Sequence, residues 1–131
     1  MIVVLTADVI ISALWTHNKK AEYIISQIIA GNLKVCHDYK ILTEYEDVLS
    51  RPCFKLTRWQ INSLLGTFDE DGISVVPIPL PKVSFKDESD RKFYEVAKFY
   101  DVPLVTGNVK NFPKDENVMT VAEYYAQLID G

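Results

Sequence analysis

The sequence predicts an α/β fold, with a central and mainly parallel sheet between helical layers. Three observations carry this. Short β-branched apolar runs recur along the chain, helical stripes of about ten residues separate them, and turn residues mark each change of period. Right-handed crossovers then follow from the alternation of strand and helix.

Residues 2–5, Ile-Val-Val-Leu, form a continuous apolar run of the kind found in a strand buried on both faces. Thr6-Ala7-Asp8 and a second apolar patch, residues 9–14, follow it, and His17 to Lys20 makes a polar break. Ala21, Ile24, Ile25, Ile28 and Ile29 make a helical stripe closed by Gly31, a C′ residue. Residues 33–36 read as the second strand, and Ile41, Leu42, Tyr45, Val48 and Leu49 as a helix halted before Pro52. Thr57 and Gln60 have capping-box spacing and open a helix with Ile61, Leu64, Leu65 and Phe68. Residues 73–78 read as a third strand, after which Pro77, Pro79 and Pro81 keep the chain extended.

The stretch from Phe85 to Pro113 is the densest. Ser89 and Asp90 stand at a helix start, where anions are favoured by the exposed amides. Phe93, Val96, Ala97 and Tyr100 mark that helix's apolar face, and Asp101 and Pro103 end it. Residues 104–106 read as a short buried strand broken by Gly107-Asn108. Residues 118–120 suggest a last strand. Thr120 and Glu123 make a second capping box for a C-terminal helix, with Val121, Tyr124, Tyr125 and Leu128 available for packing. No repeat, low-complexity tract or boundary divides residues 1–131, so a single domain is expected.

Composition narrows the function. A net charge of −4 argues against avid, charge-driven nucleic-acid binding, but not against a nuclease whose metal site must itself be acidic. Two cysteines, Cys36 and Cys53, are too few for a disulfide framework and favour a reduced, cytoplasmic setting. Cys36 reads as a small core residue and Cys53 as a packed turn residue. No apolar run reaches the 18 or so residues of a membrane span. The chain lacks a Gly-x-Gly-x-x-Gly or a phosphate-loop lysine, and His17 and His37 lack metalloprotease spacing. His37 is expected on an exposed loop. The tyrosines and Trp59 are spaced as core or helix-face residues rather than as an RNA platform.

What remains is acid at element ends: Asp8 after the first strand, Glu44 beside the Tyr45 stripe but off the apolar face, and Asp90 at a helix start. Each alone is more often a solvated carboxylate or a cap. Together they can converge at one end of a parallel sheet, where ligands bind beyond the strand ends and where Thr106 to Asn108 also lie. Converging carboxylates repel unless a cation sits among them. Mg2+ or Mn2+, hard and oxygen-liking, suits such a set.

These residues resemble the PIN-domain family, in its branch of toxin components of toxin–antitoxin pairs. Residues 4–14, Val-Leu-Thr-Ala-Asp-Val-Ile-Ile-Ser-Ala-Leu, are similar to the family's opening. Glu44-Tyr45 with Val48-Leu49 and Arg51-Pro52 match a second signature, and Asp90 to Ala97 with Val105-Thr106-Gly107-Asn108 a third. The resemblance implies a three-layer α/β/α sandwich and a divalent-metal ribonuclease, usually dimeric, acting on RNA and silenced by a cognate antitoxin. It assigns Glu44 and Asp90 as catalytic and metal-binding residues, and Asp8, two residues along from Thr6 and facing the same way, joins them as a stand-in for the carboxylate missing there, with Thr6, Thr106 and Asn108 in support. One departure stands out: Thr6 occupies the place of the family's first aspartate, and Asp8 that of an asparagine. Asn108 stands where many members carry a fourth acid. A second reading follows from Thr6, a degenerate PIN fold that binds an antitoxin or RNA without cutting it. An unrelated flavodoxin-like binding domain explains none of the three signatures.

Overall fold

A computed structural model describes residues 1–131. Its elements in order are β1 (Ile2–Leu5), α1 (Ala7–Leu14), α2 (Lys19–Ile29), β2 (Lys34–His37), α3 (Tyr39–Leu49), α4 (Arg58–Asp71), β3 (Ile73–Ser74), α5 (Arg91–Tyr100), β4 (Leu104–Val105), β5 (Val118–Met119) and α6 (Val121–Asp130). Short 3-10 turns occupy Pro52–Phe54, Glu88–Asp90 and Val109–Asn111. The sheet is parallel throughout, in the order β3-β2-β1-β4-β5, and helices on its two faces complete a three-layer α/β/α sandwich.

β1 lies at the centre because it is apolar on both faces: Val3, Val4 and Leu5 are fully buried. From β1 the chain moves outward to β2 and β3, then returns to place β4 on β1's other side, with Val4 opposite Leu104 and Leu5 opposite Val105. This reversal makes the β1/β4 boundary the sheet's topological switch point, where a crevice opens beyond the strand ends. One apolar cluster fills the interior, from β1 and α1 through Tyr45, Phe68 and Phe93 to Tyr124. No helix is long and apolar enough to cross a membrane.

Local signals set the helix ends. Both capping boxes form, Thr57 with Gln60 and Thr120 with Glu123, each satisfying two otherwise orphaned donors. Gly31 has φ +85°, as the residue after helix α2 requires.

Several expectations shift. β2 runs one residue later than expected and includes His37, which is fully buried rather than exposed on a loop; its Nε2 lies 2.8 Å from the Phe68 carbonyl on α4. β3 has two residues instead of six. Val75 N–H still donates to the His37 carbonyl at 2.9 Å, but β2 then turns into α3, so the ladder has no partner to continue on. Val76 and Ile78 are accordingly exposed. The proline-rich segment is held from α5 instead: Arg91 donates to the carbonyls of Leu80 and Val83, and Glu95 accepts from Leu80 N–H at 2.7 Å. Strands β4 and β5 each end one residue early. Cys36 is buried as expected, whereas Cys53 is exposed on its 3-10 turn. Ile29, Tyr100 and Trp59 also face solvent.

Candidate active site

The crevice at the switch point is built from β1, α1, α3, α5 and the turn after β4. β1 delivers Thr6, the N-terminal residue before α1, and Asp8 follows in the first turn of that helix. Thr6 is buried, and its hydroxyl donates to Asp8 Oδ1. The other Asp8 oxygen, Oδ2, accepts from Gly107 N–H at 2.7 Å, tying the end of β1 to the turn after β4. A Cβ at residue 107 would stand 2.3 Å from that oxygen, so only glycine allows the approach. Thr106 is buried and shapes the same turn by accepting from Asn108 N–H at 3.1 Å.

α3 brings Glu44. Its position is fixed by the next residue: Tyr45 is fully buried and donates its hydroxyl to the Leu5 carbonyl at 2.5 Å, pinning α3 to the end of β1. Burial, and next the Glu44 charge, push that phenol above its ordinary range, so it stays a neutral donor. α5 brings Asp90. Capping falls to Asp87, which accepts from Ser89 N–H at 2.9 Å, and Asp90 makes no capping bond. Its carboxylate is therefore not spent on the helix end.

Asp8, Glu44 and Asp90, with Thr6, line one cavity of about 270 Å³. Their charges meet there. Burial raises the Asp90 carboxyl above the usual range; the Asp87, Glu44 and Asp8 carboxylates raise it further, and Lys92 opposes them. Lys92 was not singled out from the sequence. Its Nζ lies 2.6 Å from Glu44 Oε1, with only 15% and 25% of the two side chains exposed. The same ammonium also donates to the Ser89 carbonyl. The structure thus brings together all three predicted acids and Thr6. Thr106 and Asn108 do not line the cavity and support it only through the Gly107 turn.

The donor set suits a hard divalent cation: three carboxylates around one cavity, one of them, Asp90, destabilised as an anion by burial first and by neighbouring carboxylates next. The side chains as placed do not gather three ligands around a single point. Two of them are engaged otherwise, Glu44 by Lys92 and Asp8 by Gly107 and Thr6. Glu44 and Asp90, with Asp8 beside them, are the residues that would hold an ion.

A parallel α/β sandwich with carboxylates at its switch point defines a class of acidic-site folds, and comparison with known proteins narrows it. A PIN domain family profile matches residues 2–110, and the chain belongs to that family. No curated protein matches it. Among solved structures it is similar to PAE2754 from Pyrobaculum aerophilum, with TM-score 0.63 and 16% identity over 99% of this chain and 90% of that one. It is also similar to VapBC2 from Rickettsia felis, solved bound to a DNA fragment from their promoter. There the TM-score is 0.58 and the identity 18%, over 92% of this chain and 97% of that one.

Proposed function

We propose that the chain is a divalent-metal-dependent ribonuclease and the toxin of a toxin–antitoxin pair. One observation carries this reading: Asp8, Glu44 and Asp90 line a single cavity beyond β1 and β4 in a chain of the PIN family. Mg2+ or Mn2+, when bound, supplies a Lewis acid for phosphodiester hydrolysis. That reaction adds water across a P–O bond and leaves a phosphomonoester and a free hydroxyl.

The chain's own residues set the rest. Glu44 and Asp90 provide the anionic wall, and Asp8 is oriented beside them by Gly107 N–H and the Thr6 hydroxyl. Lys92, displaced from Glu44, becomes a cation for the phosphate.

The likeness to VapBC2 supports a protein partner, and the resemblance makes it an antitoxin. We assign an apolar helix of that partner to the groove of about 320 Å³ between α1, α2 and α4, where Ile29 and Trp59 are exposed beside the half-buried Leu14 and Leu56. A homodimer in the cytoplasm completes the proposal. The binding-module reading has its own support: Thr6 gives no charge, and the Glu44–Lys92 pair neutralises an acid without any ion.

Cleavage of single-stranded RNA with manganese, compared between the wild type and Glu44→Gln, tests the enzyme reading. Loss of cleavage in the variant is expected. Equal cleavage by both would remove this site, and none by either would leave the binding module.

A further inference from the structure

Beside the acid cavity lies a larger and more open one, of about 430 Å³, bounded by Tyr39, Lys40, Thr43, Glu44, Asp47 and Lys92. Glu44 belongs to both, so the two cavities share a wall. Tyr39 is the first residue of α3, which Asp38 caps by accepting from Ile41 N–H at 2.9 Å. Its ring is 75% exposed, stacks on no other aromatic ring, and its hydroxyl bonds to nothing. The fold makes no use of it.

The charges favour an anion despite two carboxylates. Glu44 is matched by Lys92 at 2.6 Å and Asp47 by Arg51 at 3.6 Å, while Lys40 has no acidic partner. The lining therefore offers a flat aromatic face, one unmatched ammonium and a second that is released when Glu44 changes partner.

We propose that this cavity is a nucleotide subsite: Tyr39 stacks the base of a single-stranded ribonucleotide flanking the bond to be cut, and Lys40 holds its phosphate. The inference rests on the ribonuclease reading for what happens to that strand, and on Tyr39 and Lys40 for how it is held. A base in a duplex already has both faces stacked and its edges paired, so the subsite selects unpaired RNA.

The test is fluorescence anisotropy with an end-labelled single-stranded octaribonucleotide, in calcium to slow cleavage. Tyr39→Ala is expected to weaken binding about ten-fold, in line with loss of one base stack. Tyr39→Phe should stay within about two-fold, and a duplex of the same sequence should compete poorly. Because Tyr39 is exposed, the melting temperature of both variants should match the wild type. Unchanged binding in Tyr39→Ala, equal competition by duplex, or no binding by the wild type overturns the subsite. The reading of the acid cavity fails differently: Tyr39→Ala weakens binding as expected, yet neither protein cuts RNA with manganese.

Discussion

Replacing Thr6 by aspartate puts the most pressure on the site. Thr6 is buried, and its hydroxyl is a donor to Asp8 Oδ1, so Thr6→Asp turns a hydrogen bond into two facing carboxylates. At about 4 Å and an effective dielectric of about 20, two unit charges repel by about 4 kcal/mol. Uptake of a proton by one of them caps the loss, so about 3 kcal/mol at neutral pH is the working figure. For a chain of this size that corresponds to a fall in melting temperature of about 10 °C without metal. With manganese the sign reverses. The added anion should raise metal affinity, and metal-dependent cleavage of single-stranded RNA, about ten-fold or more. Calorimetric melting with and without manganese reads the first effect and gel analysis of RNA products the second. If apo stability and cleavage are both unchanged, Thr6 does not face the acids and the reasoning fails. Destabilisation without any gain in cleavage would favour the binding module.

Lys92→Met removes the counter-ion of Glu44. Metal-free stability should fall by about 1 kcal/mol while the manganese-induced rise in melting temperature grows, because no ammonium then competes for the carboxylate; a smaller rise would contradict that competition. Tyr45→Phe strips the buried Leu5 carbonyl of its donor and should cost about 1–3 kcal/mol in urea unfolding; a loss under about 0.5 kcal/mol would show that this bond does not hold α3 in place. Asp90→Asn tests the raised carboxyl by its pH dependence. A raised native value means the folded state binds more protons than the unfolded one above the ordinary aspartate range, so stability falls as pH rises through that window. The variant should lack that fall, gaining on the wild type toward neutral pH and losing the advantage in acid; parallel pH profiles would place Asp90 away from the other acids.

Much of the fold was legible because its signals are local. The β1 run, both capping boxes and Gly31 each specify their structure within a few residues. The acid positions were legible for a related reason: Asp8, Glu44 and Asp90 fall at element ends, and parallel topology gathers those ends on one side. What escaped the sequence depends on distant partners. His37 looks like a loop residue until α4 brings the Phe68 carbonyl to its ring. The apolar letters after Ser74 read as strand, but a strand exists only while its neighbour continues, and β2 stops at His37. Lys92 was invisible as a site residue because its partner lies on another helix, and nothing local distinguishes it from a solvated lysine. Tyr45 read only as a packing residue, although its hydroxyl ties Glu44's helix to β1.

In the proposed reading Asp8, Glu44 and Asp90 form one divalent-cation site. The most direct measurement is the melting temperature of the wild type, Glu44→Gln and Asp90→Asn, each with and without millimolar manganese. A ligand bound only by the native state stabilises it by mass action. A clear rise is expected for the wild type, and its loss in both variants. A rise of equal size in all three proteins would put the ion elsewhere and rule out this site.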